Sequence, residues 1–551
     1  MATSSSPRNG LIARWLGPAF ASFQALGFSA QPSRADRAAI ARHIAAFKTL
    51  PKIAVVMDGA TPEAVASVRA QLYQEWQLWL VGSDGPVADA RIKHARTVKS
   101  ALAECDADYV AFMGAQDRLH MAAFYEVAAA IDANPKARII YTDEDKAVGR
   151  DTRYVSYHKP AFNIELLLGW NFIGNLCVYE AKLLRKLGHS DPHDLILRAA
   201  RHVKLQDIIH IPVVLYRHRN HGDACATHHA TQAYLKAEGE DACVVPAGEG
   251  AQAYFSRVIR RVPKPEPKVS ILIPTRDMAP VLKVCVATIL EKTAYGNYEI
   301  IIVDNESRAP DALALLADYA RHPKIKVLRY PKPFNYAAIN NAAAKAAKGS
   351  LLALLNNDVE IVDSGWLSEM VSIAARKEIG AVGAKLLFPT GQIQHGGVFL
   401  GPKANAAHMH FLLAGEEPGY FNEALLTRAA SAVTGACLVV SKKKFFEAGG
   451  LDETHLPVTY NDVDFCLKLA EAGYRNVWTP FARLIHHESM SRGKDLTPEK
   501  KARLKCERAY FEKRWNHLAA CDAFYNPNLA LVQGKFKLVR SRRPKTWAAY
   551  L

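Results

Sequence analysis

Four short segments carry side chains of the kind that hold diphosphates, cations or protons. Val303-Asp304-Asn305-Glu306-Ser307 closes one apolar run, and Leu354-Leu355-Asn356-Asn357-Asp358 closes another. Tyr460-Asn461-Asp462-Val463-Asp464 opens a helix expected over Phe465–Ala472 and stopped by Gly473, and Leu484-Ile485-His486-His487-Glu488-Ser489 ends a third apolar run. One carboxylate after a strand is ordinary turn chemistry. Carboxylates, amides and an imidazole at the ends of several elements in one α/β unit form a donor set for a diphosphate and a hard divalent cation. Mg2+ or Mn2+ suits a mixture of carboxylate, amide and phosphate oxygens.

The elements that position these groups can be traced from the apolar pattern. Leu351-Leu352-Ala353-Leu354-Leu355 is an unbroken apolar run, which predicts a buried strand. Open α/β sheets place their ligands at the carboxyl ends of such strands. Val269–Ile273 predicts a strand ending at Pro274, with Thr275 and Asp277 just beyond it. Helices are expected over 278–291 and 336–347, and a strand over Tyr298–Val303. The first half alternates in the same way. Strands are expected at Ile53–Met57, Leu78–Val81, Tyr109–Met113, Ile139–Tyr141 and Ile208–Tyr216, with helices over 62–73 and 120–132. Tyr73–Val81 parallels Tyr295–Val303, and Val110–Met113 parallels Leu352–Leu355, which is an internal repeat at low identity. Arg261–Lys268 carries prolines at every second position and reads as an extended linker. The expected organisation is therefore an Ala-rich amphipathic segment (1–48), an α/β domain (49–260), the linker (261–268), a second α/β domain (269–530) and a basic tail (531–551). Each domain is expected to have a mainly parallel sheet.

The second domain resembles the family 2 inverting glycosyltransferases. The resemblance is carried by Ile-Pro-Thr-Arg-Asp (273–277), Val-Asp-Asn-Glu-Ser (303–307), Phe-Asn-Tyr-Ala-Ala-Ile-Asn-Asn (334–341) and Leu-Leu-Asn-Asn-Asp (354–358). Thr-Gly-Ala-Cys (434–437), Gly-Gly-Leu-Asp-Glu (449–453), Asn-Asp-Val-Asp-Phe-Cys-Leu-Lys-Leu (461–469) and His-His-Glu-Ser (486–489) continue it in matching order. Asp522–Leu529 is similar to the tail of the bacterial O-antigen and rhamnosyltransferase-like subset. The resemblance implies two tandem GT-A folds, the Rossmann-like fold of nucleotide-diphospho-sugar transferases. It implies a nucleotide-sugar donor, a saccharide or lipid-linked glycan acceptor, and a role in cell-surface polysaccharide synthesis. Asp462 matches the catalytic base, one carboxylate that takes the acceptor's proton; hydrolysis of a glycoside would need an opposed pair. Asp304 matches the acid that contacts the nucleotide base, and Thr275 and Asp277 would line the same pocket. Asn356 and Asp358 match the metal-holding Asp-x-Asp motif, with Asn in place of its first Asp. His486, then His487, is the expected histidine ligand, and Asn357 and Asp464 support the site. Local structure offers competing roles: a helix N-cap for Asn461 or Asp462, a turn for Thr275 and Asp277, and packing for the two histidines.

The first domain also resembles the family, through Ile140–Lys146, His158-Lys-Pro, Asn171–Asn175 and His210–Tyr216. Its chemistry is worn. Gly82 stands for the base-contacting Asp, Gly114-Ala115-Gln116 (followed by Asp117) for Asp-x-Asp, and Pro192 for the catalytic Asp, with Asp191 beside it. The Asp143-Glu144-Asp145 cluster survives. This domain is expected to be non-catalytic, a scaffold or acceptor-binding unit.

Composition narrows the partners. The net charge of +16 suits anionic partners, but no recognition helix, zinc-finger spacing or RNP-like strand supports nucleic acid. The Lys/Arg-rich tail (Lys535, Lys537, Arg540, Arg542, Arg543, Lys545, with Trp547 and Tyr550) suits peripheral contact with the cytoplasmic face of a membrane, or a solvated surface equally. Nine cysteines, scattered singly, fit a reducing compartment. His218, His221, Cys225, His228 and His229 have no common zinc spacing. No apolar run reaches the roughly 18 residues of a membrane span. Neither first strand leads into Gly-x-Gly-x-x-Gly, which excludes a dinucleotide oxidoreductase. A Gly-rich triphosphate loop is missing too, against a nucleotidyltransferase. The alternative to an enzyme is a carbohydrate-binding scaffold built from two inactive copies.

Overall fold

The computed structural model describes residues 28, 31–82, 89–148, 153–218, 224–401, 405–488, 497–519, 522–530, 536 and 545–551. Helix α1 (Arg34–Ala45) starts at a capping box in which Ser33 and Asp36 satisfy each other's backbone amides. Of the apolar stretch from Leu11 to Ser33, only Phe28 and 31–33 fall within the described residues, and His221 and Ser489 lie outside them.

The first sheet comprises β1 (Ile53–Asp58), β2 (Trp76–Val81), β3 (Ile92–Ala95), β4 (Tyr109–Met113), β5 (Arg118–Leu119), β6 (Ile139–Val148), β7 (Arg153–Tyr157), β8 (Cys177–Glu180) and β9 (Ile208–His218). Helices α2 (Ala123–Ala133) and α3 (Ile164–Gly169) pack with it, and the hairpin of β10 (Ala242–Pro246) and β11 (Ser256–Arg260) leads into the linker. The second half holds β12 (Val269–Thr275), β13 (Tyr298–Asp304), β14 (Ile325–Arg329), β15 (Leu351–Leu355), β16 (Val359–Ile361), β17 (Ile379–Leu387), β18 (Ile393–His395), β19 (Val398–Gly401), β20 (Asn405–His408), β21 (Arg428–Ala429), β22 (Cys437–Ser441) and β23 (Arg475–His486). Its site-bearing helices are α4 (Tyr336–Ala346), α5 (Asn461–Glu471) and α6 (Pro498–Ala519).

The sheets run β3-β2-β1-β4-β8-β6-β9-β5 and β14-β13-β12-β15-β22-β17-β23-β16. Position for position, one strand order is built twice. The first four strands of each order are parallel. An antiparallel strand follows (β8, β22), and then a parallel pair, β6 with β9 and β17 with β23. The two-domain α/β architecture expected from the alternating pattern is thus present. Strand β15 is buried along its length because helices cover both faces of this part of the sheet.

The two halves share a core. One apolar cluster joins Tyr157, Leu166 and Phe172 of the first half to Tyr420, Leu426 and Tyr525 of the second. Asn163 and Ala429 exchange two hydrogen bonds of 3.1 Å, a pairing that mimics one sheet rung. The carboxylate of Glu165 in α3 meets Arg376 at 2.9 Å and Arg475 at 3.3 Å from the second half. The chain's last described residues return to the first half. Lys545 Nζ and Trp547 Nε1 both lie 2.7 Å from Asp36 Oδ1, and Thr546 donates to Glu126 of α2 at 2.7 Å. Tyr550 stacks on His43. Lys545, Trp547 and Tyr550 of the basic tail reach α1, where Asp36 and His43 meet them. The other tail cations lie outside the described residues.

Candidate active site

Strand register brings Asp358 and His486 together. Asp358 follows β15 and precedes β16, and β16 pairs antiparallel with β23 so that Val359 stands opposite His486. His486 Nε2 lies 3.1 Å from Asp358 Oδ1. Both side chains are nearly buried, at 10% and 4% exposure. His487 leaves the pair. Its backbone amide bonds Asp358 O at 2.9 Å, while its ring turns to Glu360 at 3.3 Å. Pleat alone would set Asp358 on the face of His487, which stands opposite it; Asp358 lies in the turn before β16, and its side chain meets His486 instead.

Asn356 completes the cluster. Its Nδ2 lies 3.3 Å from His486 Nε2, and its Oδ1 accepts the Tyr336 hydroxyl at 3.2 Å. Tyr336 opens α4 behind an Asn335 N-cap. Its hydroxyl also lies 3.0 Å from Gly435 O, and Gly435 N–H donates to Asp462 Oδ2 at 2.8 Å. A Cβ on Gly435 would come within 3.3 Å of Tyr336 Oη and 3.4 Å of Asp462 Cβ, so glycine permits this close approach. Asp358, His486, Asn356, Tyr336, Gly435 and Asp462 therefore form one connected cluster. Asp462 is the second residue of α5, and its side chain is part-exposed. The helix cap is Tyr460, in left-handed backbone (φ 63°) and without a side-chain cap bond. The N-cap role weighed for Asn461 or Asp462 is thus corrected: the helix already contains both, and Asn461 Nδ2 donates to Val458 O at 2.9 Å.

The other expected site residues have partners of their own. Asp304 is fully buried; Oδ1 accepts the Ser307 amide at 2.9 Å, and Oδ2 pairs with Arg329. Asp277 Oδ1 accepts the amides of Arg308 and Ala309 at 2.7 and 2.8 Å. These bonds hold the Asp277 carboxyl below its usual value. Both carboxylates thus brace the loop after β13. Asn357 Nδ2 donates to Thr275 Oγ1 at 3.1 Å, tying the ends of β12 and β15. Asp464 is buried beneath the site. It accepts from Trp515 Nε1 of α6 at 2.9 Å and pairs with Lys468 at 3.1 Å.

Three groups near the cluster carried no role in the sequence. Gln394 Oε1 lies 2.6 Å from His486 Nδ1, and Gln394 Nε2 donates to Glu488 at 3.2 Å. His395 and His408 face each other through their Nδ1 atoms at 2.8 Å. Burial pushes His395 well below the ordinary histidine value and lowers His408 as well. The Gln394-His395-Gly396-Gly397 string was the available signal, two polar residues between apolar strands.

Asp358 Oδ1 is buried without a hydrogen-bond donor. An orphaned carboxylate oxygen beside an imidazole nitrogen fits a cation. Among the described residues, no group of three His, Cys, Asp or Glu side chains gathers to hold a metal ion. The cluster offers two such ligands, and the expected third, Asn356, turns its Nδ2 to His486 and its oxygen to Tyr336.

The equivalent end of the first sheet is built differently. By strand register Gly82 matches Asp304, and Gly114-Ala115-Gln116 matches Asn356–Asp358. Asp117 precedes β5 as Asp358 precedes β16, but Arg217 stands opposite the start of β5 where His486 stands opposite β16. Tyr216 donates to Asp117 at 2.8 Å. Pro192 opens its helix as Asn461 opens α5, which moves the position matching Asp462 from Pro192 to His193; Asp191 caps that helix. His193 is buried against Leu167 O at 2.7 Å, and burial brings its ring down to about 4. Asp143 is held by His158 at 3.1 Å, His210 at 2.8 Å and Asn526 at 3.0 Å, and Asp145 by Ser156 and Arg217. Asp143 of the surviving acidic cluster thus fastens the first half to Asn526 of the second.

Residues 270–394 match the family model for glycosyl transferase family 2. The chain is 39% identical over 536 residues to the uncharacterized protein y4gI of Sinorhizobium fredii, covering 89% of this chain and 59% of that protein. It is 35% identical over 560 residues to the O-antigen biosynthesis protein RfbC of Myxococcus xanthus, covering 94% and 43%. It is 25% identical over 216 residues to an N-acetylglucosaminyl-diphospho-decaprenol L-rhamnosyltransferase of Mycobacterium tuberculosis, covering 36% and 68%. The chain thus spans about half the length of the first two relatives. No helix among the described residues is long and apolar enough to cross a membrane.

Proposed function

The chain carries a family 2 glycosyltransferase domain, and on that premise we propose that its second half moves a sugar from a nucleotide-diphosphate donor to a saccharide acceptor with inversion. The observation that carries this reading is the connected cluster from Asp358 and His486 through Asn356 and Tyr336 to Asp462. It sets a cation-seeking pair and a part-exposed carboxylate at one end of one sheet. In this reading Asp462 accepts the acceptor hydroxyl's proton as that oxygen attacks the anomeric carbon and the nucleoside diphosphate leaves. The Gly435 amide fixes the carboxylate's orientation, so the base is in place before the acceptor arrives. Asp358 and His486 would hold a divalent Mg2+ or Mn2+, with Asn356 orienting the histidine, and the cation would offset charge on the leaving diphosphate. Thr275, Asp277 and Asp304 shape the nucleotide pocket chiefly by bracing its loops, since the two carboxylates are already engaged. The first half is a non-catalytic partner that shares the second half's core. The setting we propose is synthesis of cell-surface polysaccharide at the cytoplasmic face of a membrane, on a lipid-linked or free glycan, in keeping with the O-antigen and rhamnosyltransferase relatives.

The test is binding and turnover of a panel of nucleotide-sugars, with and without Mn2+, for the wild type, Asp358→Ala and Asp462→Asn. The expected result is metal-dependent binding lost in Asp358→Ala, and turnover lost with binding kept in Asp462→Asn. If no nucleotide-sugar binds the wild type, the non-catalytic scaffold replaces this reading.

A further inference from the structure

We infer that Gln394 is a positioning residue that fixes the tautomer of His486. This rests on the reading of Asp358 and His486 as the cation-holding pair and adds the group that makes the histidine able to serve. Gln394 lies in β18, which β17 holds against the sheet through Leu386–His395 and Leu387–Ile393 pairing. Its side chain is 5% exposed. The direction of its amide is set from outside. Glu488 can only accept, so Gln394 must present Nε2–H to it, at 3.2 Å. Gln394 Oε1 is then turned to His486 Nδ1 at 2.6 Å, and an oxygen there requires Nδ1 to carry the proton. His486 Nε2 is the ring nitrogen turned to the site. It accepts from Asn356 Nδ2 at 3.3 Å and faces Asp358 Oδ1 at 3.1 Å. A proton shared by this pair would give way to a divalent cation, which both atoms face. The chain Glu488–Gln394–His486 thus fixes which ring nitrogen is turned to the site and offered to a cation. Outer-shell partners of ligating histidines act in this way.

The experiment measures Mn2+ affinity by electron paramagnetic resonance in the presence of UDP, GDP or dTDP, whichever the wild type binds. Gln394→Leu keeps the volume and removes both hydrogen bonds. About 10–100-fold weaker Mn2+ binding is expected, with near-ultraviolet circular dichroism unchanged. In a His486→Ala background the same substitution should add less than about twofold, a coupling that a packing role would not produce. Glu488→Gln, at an exposed position, removes only the direction of the relay. It should weaken Mn2+ severalfold even if Gln394→Leu fails to fold. Mn2+ affinity within twofold of the wild type in either variant, or equal losses with and without His486, overturns the inference alone. A wild type that binds nucleotide but no Mn2+ overturns the metal reading and the inference with it.

Discussion

Replacing Glu165 by Gln should loosen the two halves by an amount the structure sets. The Glu165 carboxylate is 1% exposed and accepts from Arg376 Nη1 at 2.9 and 3.0 Å, with Arg475 at 3.3 Å and Arg260 at 3.6 Å. Burial alone would raise its carboxyl. Arg376, Arg260 and Arg475 outweigh burial and bring it from 4.5 to about 2. At about 1.4 kcal/mol per pH unit, that difference corresponds to about 3 kcal/mol of folded-state stabilisation. Breaking a buried ion pair from one side costs about 3–5 kcal/mol. Arg376 keeps Glu378 at 2.7 Å and Glu240 at 3.5 Å, so the lower end is expected. Because the folded carboxyl is depressed, this contribution is complete above about pH 4.3 and is lost as pH falls towards about 2. The gap between wild type and Glu165→Gln should therefore be widest at neutral pH and close in acid. Thermal unfolding at pH 7, followed by near-ultraviolet circular dichroism, reads it. The midpoint should fall by about 7 °C if the first half unfolds as its own unit, and by about 3 °C if both halves melt together. A fall below about 1 °C, or a gap that stays constant down to pH 3, would refute the charge-coupled interface.

Asp462→Asn should lower turnover by about 10²–10⁴-fold while donor affinity changes by less than about threefold, read from initial rates and donor titration; parallel loss of both would remove Asp462 from the role of base. Asn526 donates to Asp143 Oδ2 at 3.0 Å and Lys159 O at 2.9 Å, so Asn526→Ala should cost about 1–3 kcal/mol and speed amide exchange in 522–530; unchanged exchange there would count against the fastening role. The His395–His408 pair is held uncharged by burial, so folding opposes proton uptake that the unfolded chain allows below about pH 6.5. Stability should fall as pH drops through that value, and His408→Gln should flatten the slope of melting temperature between about pH 5 and 7; an unchanged slope would assign acid sensitivity elsewhere.

Much of this protein was already determined by local sequence. Burial periodicity and strand-terminating polar residues are short-range properties, and they placed β12, β13 and β15 with Asp304 and Asp358 at or just past their ends. The same local signals found α5, though they began it at Phe465 and not at Asn461, and made the two halves recognisable as copies. What a side chain does at the end of its element was decided by residues far along the chain. Asp304 and Asp277 were legible as acids but not as braces, because Arg329 and the 308–309 amides reach them only once β13 lies between β12 and β14. Choosing His486 over His487 needed the turn at Asn357-Asp358, which carries the Asp358 side chain to His486 although the strand register sets its backbone opposite His487. Tyr336 and Gln394 joined the site through contacts with Asn356 and His486 that no local spacing encodes. Asp143 survived in sequence as an apparent site, and the fold made it a clasp on Asn526. Sequence thus set which chemistries stood at the ends of the elements, and tertiary packing set their partners, because a hydrogen bond between distant segments depends on a register that neither segment contains.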